Sequence, residues 1–155
     1  MNSLSFKIAS SADESLYLQW ANDVDVRKNS FNQAAILPEN HHRWFTKKIQ
    51  EKEALLLIFL NEKQESVGQV RIDKDSYYQV DISVDKQQRG KGYALQMLQL
   101  ALLEFVKMVG YSSPVFSLIK KSNLSSIKTF EKAGFTLHSE SESEDYFKYI
   151  FTSKK

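Results

Sequence analysis

The sequence predicts one mixed α/β domain, residues 1–155, built on a single, mostly antiparallel sheet with about four flanking helices. Three observations carry the prediction. Strand-like and helix-like runs interleave along the whole chain. Ala54–Leu60 and Ser66–Ile72 are strand-like and separated only by the polar Asn61–Glu65, the layout of an antiparallel hairpin. A turn with two glycines, Gly90 and Gly92, leads into a stripe of Ala94, Met97, Leu98, Ala101, Phe105 and Met108 at the helical period.

In chain order, Phe6–Ile8 is a short first strand. Ser11 and Glu14 have capping-box spacing, which satisfies orphan N–H groups at a helix start, and Leu16, Tyr17 and Trp20 share one face of that helix. Pro38 suits a first helical turn, where its missing N–H would have no partner anyway. His41, Trp44, Phe45, Lys48 and Ile49 then recur at helical spacing. In Tyr78–Val84, Val80, Ile82 and Val84 alternate with Gln79, Asp81 and Ser83, the pattern of a half-buried strand. Gly110 is the expected stop of the long helix. Val115–Ile119 reads as a buried strand, Ser125–Ala133 as a helix ended by Gly134, and Phe135–Leu137 and Tyr146–Phe151 as the last strands. The acidic Ser139–Asp145 reads as a solvated hairpin loop.

Lys plus Arg is 21 and Asp plus Glu is 19, so the net charge of +2 makes no electrostatic case for a general nucleic-acid binder. Cysteine is absent, which excludes disulfides, thiolate metal sites and cysteine nucleophiles. His41 and His42 diverge on a helix and His138 is isolated, so no metal is expected. The longest apolar run, Ala54–Leu60, has seven residues, against about 20 for a membrane-spanning helix. The first residues lack the basic-then-apolar layout of a secretory signal. A cytoplasmic protein with no membrane partner is expected, and exposed strand edges allow a homodimer.

Gln87-x-x-Gly90-x-Gly92 lies between a strand and a helix. Glycines there let backbone N–H groups approach an anion, and the new helix adds the positive end of its dipole. Arg89 and Lys91 add charge, which completes the chemistry of a diphosphate cradle. A P-loop is ruled out, because Lys91 is followed by Gly92 rather than Ser or Thr. A dinucleotide fingerprint would want Gly or Ala in place of Leu95, and an acidic residue where Lys120 follows Ile119. A pyrophosphate loop of a third kind and a turn serving geometry alone both fit.

The segment Val80–Phe135 resembles the core of the GNAT acyltransferase superfamily in order: strand, loop, long helix, strand, Asn123, helix, Gly134-Phe135. Gln87, Gly90 and Gly92 match the family motif [Gln/Arg]-x-x-Gly-x-[Gly/Ala], and Phe130–Phe135 looks like its Tyr-x-x-x-Gly-Phe helix ending. The resemblance implies a GNAT fold, acetyl-CoA as cosubstrate and direct N-acetyl transfer in a ternary complex. It places the cofactor on Gln87, Gln88, Arg89, Gly90, Lys91, Gly92 and Tyr93. It also implies a bulge in the preceding strand, where backbone groups of Ile82, Ser83 and Val84 meet the pantetheine arm and one N–H polarises the thioester carbonyl. Asn123 would contact the cofactor; its position equally suits a helix N-cap near Ser125. Asp81 stands where relatives often carry an acidic residue and would act as general base through water; a solvent-facing carboxylate on an alternating strand is the plainer reading. Relatives often use a Tyr as general acid where this chain has Phe130, which leaves that role vacant, with Tyr146 and Tyr149 as substitutes.

Trp20-x-Asn22-Asp23-x-x-Val26-Arg27, Glu39-x-His41-x-Arg43-Trp44-Phe45 and Gly68-Gln69-Val70-Arg71 resemble bacterial N-acetyltransferases of nucleotide-linked amino sugars, of the pseudaminic and legionaminic acid pathway type. Ribosomal-protein amino-terminal and antibiotic-modifying acetyltransferases share part of the pattern. The resemblance implies a nucleotide-linked amino sugar as acceptor, with Arg27, Arg43 and Arg71 as phosphate ligands and Trp44 or Trp20 stacked on sugar or base. His41 would bond the acceptor or help deprotonate it. The plainer readings are Trp44 as core, the arginines as ion pairs and His41 as a buried structural histidine. The rival acceptors are a protein amino terminus or a small amine such as a polyamine, for which an acidic groove is expected. A non-catalytic CoA-binding module is the third reading.

Overall fold

The computed structural model describes residues 3–111, 113–141 and 144–153. Seven strands form one sheet in the order β1-β2-β3-β4-β5-β7-β6. β1 (Ser5–Ile8), β2 (Leu55–Leu60), β3 (Ser66–Lys74) and β4 (Tyr78–Val84) make an antiparallel half. β5 (Val115–Lys120), β7 (Tyr146–Phe151) and β6 (Thr136–Glu140) make another, joined to the first where β4 and β5 run parallel. Helices α1 (Glu14–Ala21), α2 (Val24–Lys28) and α3 (Pro38–Lys48) lie between β1 and β2, α4 (Tyr93–Val109) between β4 and β5, and α5 (Leu124–Lys132) between β5 and β6.

Alternation along the strands divides the apolar side chains between two cores. Leu57, Phe59, Val70, Ile72 and Val80 pack with the α4 stripe of Met97, Leu98, Ala101 and Phe105. Leu56 and Ile58 point the other way, onto Tyr17, Trp20 and Phe45 of α1 and α3. β2 is therefore covered on both faces, which explains its unbroken apolar sequence. At Gly68 a Cβ would strike the Ser83 carbonyl oxygen and lie 2.7 Å from Met97 Cε, so glycine there lets α4 settle onto the sheet.

The β3–β4 register is regular from Lys74 opposite Tyr78 to Gly68 opposite Val84, so the bulge expected in β4 is not present in this pairing. The register shift lies between β2 and β3 instead, where Phe59 faces Gly68 and Leu60 faces Ser66. Val67 is the extra residue, and its side chain is fully buried in the α4 core. The opening at the end of β4 has another origin. β4 and β5 pair only at Tyr78–Val115 and Gln79–Phe116, which leaves the rest of β4 without a strand partner on that side.

Three local expectations need correction. The acidic arm of the capping box is one residue earlier: Asp13 Oδ2 accepts from Ser10 N–H at 2.8 Å, and buried Asp13 also pairs with Lys7 at 3.1 Å. α2 was not expected, because five residues are too few to display a period. β6 extends through Glu140 into the acidic stretch, with Ser139 opposite Lys148, and charged residues suit an exposed edge strand. Glu142 and Ser143 of that stretch lie outside the described residues. Among the described residues no helix is long and apolar enough to cross a membrane.

Candidate active site

β4 runs into a short 3-10 turn, Lys86–Gln88, whose N-cap Asp85 accepts from Gln87 N–H through Oδ2 at 3.0 Å. Gly90 and Gly92 follow with φ of 78° and 79°, a region that glycine enters without steric cost. No atom of the described chain stands within 4 Å of where a Cβ would lie on either, so the space over the turn is open. Gly92 is the N-cap of α4 and no side chain caps it, which leaves the first N–H groups of a 17-residue helix available together with its dipole. The turn fits a diphosphate.

The sequence-predicted cofactor residues divide here. Arg89 is engaged elsewhere: Nη2 donates to Asp23 Oδ1 (2.9 Å), Nη1 to Asp25 Oδ2 (3.0 Å) and Nε to Val84 O (3.1 Å). Burial alone would raise the Asp23 carboxyl, but its bonds from Arg89 and from Val26 and Asp25 N–H hold it below the usual carboxylate range. Trp20 Nε1 donates to Asp85 Oδ1 at 2.8 Å, a second link from the N-terminal helices to the turn. Lys91 Nζ donates to Gln88 Oε1 at 3.1 Å. Tyr93 is buried in the α4 core, so its side chain serves packing.

Asp85 N–H donates to Val67 O at 2.8 Å. The alternation of an antiparallel pair then turns the backbone groups of Ser83 toward β3 and those of Ile82 and Val84 toward the open side. Ser83 contributes its side chain to the opposite cavity instead. Asn123 is the N-cap of α5, with Oδ1 accepting from Ser126 N–H and Ser125 Oγ, each at 3.4 Å. Any cofactor contact is left to its amide nitrogen.

On the other face of β3 and β4 a cavity of ≈ 410 Å³ opens beneath the N-terminal helices. Tyr17, Arg27, His41, Trp44, Gln69, Arg71, Asp81 and Ser83 line it. Asp81, with its side chain 55% exposed, accepts from Gln69 Nε2 at 3.0 Å and lies 3.9 Å from Arg71 Nη1. Arg71 also pairs with Asp73 at 3.3 Å, and its guanidinium lies 4.9 Å from the centre of a Trp44 ring. Burial would lower the Arg71 pKa, but Asp81 and Asp73 outweigh it and raise the value. His41 is 4% exposed and stacks on Phe45, with ring centres 5.7 Å apart. Burial lowers its pKa, so the imidazole is neutral at pH 7. Burial also pushes up the Tyr17 hydroxyl, which donates to Leu57 O at 3.1 Å.

The three arginines expected to bind phosphate occupy three different settings. Arg71 faces the cavity. Arg27 lines it, but its guanidinium holds the α2–α3 loop, donating to Ala21 O (2.7 Å), Asn32 O (2.9 Å), Ala34 O (3.3 Å) and Ser30 Oγ (3.0 Å). Arg43 is exposed, bonds to Asn40 Oδ1 and does not line the cavity. Phe130 is buried edge-to-face against Phe135, at 4.9 Å. Of its possible substitutes, Tyr149 bonds Glu131 at 3.3 Å and Tyr146 packs on Phe31. Sequence reasoning missed Gln69 and Tyr17 as lining residues. Gln69 was signalled only by alternating with Arg71 on one strand face.

The model of the GNAT acetyltransferase domain matches residues 4–136, and the chain belongs to that family, whose cosubstrate is acetyl-CoA. No curated protein has a sequence that matches this chain. Among solved structures, spermidine N-acetyltransferase from Vibrio cholerae, in complex with CoA and spermine, superposes with a TM-score of 0.87 at 14% identity, over 97% of this chain and 95% of that one. A domain from Methanocaldococcus jannaschii gives 0.83 at 21% identity, over 98% and 99%. The yncA protein of Salmonella typhimurium, solved with acetyl-CoA, gives 0.80 at 16% identity, over 99% and 95%. At these identities the likeness establishes the fold.

Proposed function

We propose that this acetyltransferase acts on the primary amine of a nucleotide-linked amino sugar. The observation that supports this acceptor is the charge of the cavity. Among its lining side chains Arg27 and Arg71 stand against one carboxylate, Asp81. Such a wall repels the spread ammonium groups of a polycation and suits a sugar amine with an anionic tail. A polyamine acceptor is the second reading, supported by the likeness to spermidine N-acetyltransferase.

Acetyl-CoA supplies an acyl group activated as a thioester. The glycine turn and the α4 N-terminus hold its diphosphate, and the backbone groups of Ile82 and Val84 meet its arm at the open edge of β4. Asp81 accepts the proton that the acceptor ammonium loses, directly or through water. Neutral His41 offers a second proton acceptor across the cavity. Arg71, held by Asp73 over Trp44, faces the sugar or its phosphate. Phe130 donates no proton, so water serves as the acid.

The test is thiol release from acetyl-CoA with UDP-linked amino sugars, spermidine and amino-terminal peptides offered separately. Turnover with a nucleotide sugar is expected. Turnover confined to spermidine or to peptides would overturn the acceptor and leave the family assignment standing.

A further inference from the structure

Two buried side-chain atoms have no hydrogen-bond partner among the described residues, His41 Nδ1 and Gln69 Oε1. Both residues line the acceptor cavity. A buried polar atom without a partner destabilises the fold, so a protein that retains one has another use for the residue. Gln69 is 4% exposed and sits in mid-strand. Its Nε2 donates to Asp81 Oδ2 and to Ser83 Oγ, each at 3.0 Å. A carboxylate only accepts, so Asp81 dictates which end of the carboxamide faces it, and the same bond strands Oε1. The register places Gln69 opposite Ser83 and Arg71 opposite Asp81, with Gln69 diagonal to the carboxylate on one sheet face.

We infer that Gln69 is the positioning residue for Asp81: its amide N–H holds the carboxylate at the cavity wall, in the place from which it meets the acceptor amine. This rests on the reading of Asp81 as the proton acceptor. Arg71 does not fill that role, because its Nη1 lies 3.9 Å from Asp81 while Asp73 and Trp44 hold the guanidinium. The charged and titratable groups around Asp81 are Arg71 and Asp73 of β3, Tyr17 of α1, Arg27 of α2 and His41 of α3.

Gln69→Met keeps the chain length while removing the amide that donates to Asp81. kcat for the acceptor is expected to fall roughly tenfold, the worth of one hydrogen bond to a charged group, with the KM for acetyl-CoA unchanged. Ser83 Oγ loses the same donor, so Tm by itself does not separate the roles. Asp81→Asn should lower kcat further, and adding Gln69→Met to it should cost nothing more, because the carboxylate that the amide holds is gone. If Asp81→Asn lowers kcat while Gln69→Met leaves it at the wild-type value, the inference is overturned and the base stands. If Asp81→Asn keeps the wild-type kcat, the base reading fails and the inference falls with it. If Gln69→Met costs as much in the Asp81→Asn background as in the wild type, Gln69 is a structural residue only.

Discussion

Arg89 Nη2 in the glycine turn donates to Asp23 Oδ1 at the start of α2 over 2.9 Å, across 66 residues of sequence. Asp23 also caps α2, the helix that carries Arg27 to the rim of the acceptor cavity. The turn and the helix at the cavity rim thus share one carboxylate, with Arg89–Asp25 and Trp20–Asp85 beside it.

This pairing gives Asp23 a pH signature. Its folded pKa is depressed, so its contribution to stability is present above the unfolded value near 3.8 and is lost as pH falls through the folded value. Asp23→Asn should lower the urea midpoint at about pH 6, and the gap from wild type should narrow as pH falls below about 3.8. A gap that does not change with pH would mean that the charge of Asp23 contributes nothing to it.

Gly92→Ala forces a side chain onto a φ of 79° with no clash around it. The expected strain is about 1–2 kcal/mol, which the turn relieves by shifting its N–H groups. Calorimetric titration with CoA should show affinity reduced roughly tenfold, with spermidine or sugar binding unaffected. Unchanged CoA affinity would remove the turn from the cofactor site.

Gly68→Ala should act through packing. The new methyl meets the Ser83 carbonyl and Met97 Cε, so α4 must back away from the sheet. A loss of about 1–3 kcal/mol in urea unfolding is expected, as for other overpacked cores.

His41 is buried neutral, and burial holds its pKa below the ordinary imidazole value of about 6.5. The unfolded chain therefore binds a proton that the folded chain resists, and stability declines as pH falls from about 6.5 toward the lower folded value. His41→Phe, which preserves the stack on Phe45, should flatten that decline. Turnover should fall as well if the imidazole takes part in proton removal.

The sheet, the long helix and the glycine turn were legible because each is written in neighbouring residues. The stripe from Ala94 to Phe105 and the alternation of Val80, Ile82 and Val84 need only a period, and Gly90 and Gly92 need only a backbone angle. α2 and the outer end of β6 were not legible. α2 is a single capped turn, and β6 is exposed throughout its length, so its side chains carry no burial pattern.

The sequence by itself determined the fold class and which residue types could meet a diphosphate. The tertiary structure decided what each charged residue does. Arg27, Arg43, Arg71 and Arg89 carry the same group, yet one holds a loop, one faces solvent, one faces the cavity and one clasps Asp23 and Asp25. Periodicity is a property of residues a few positions apart, whereas a guanidinium takes whichever acceptor the fold brings within hydrogen-bond reach. For Arg89 those acceptors lie 64 and 66 residues away.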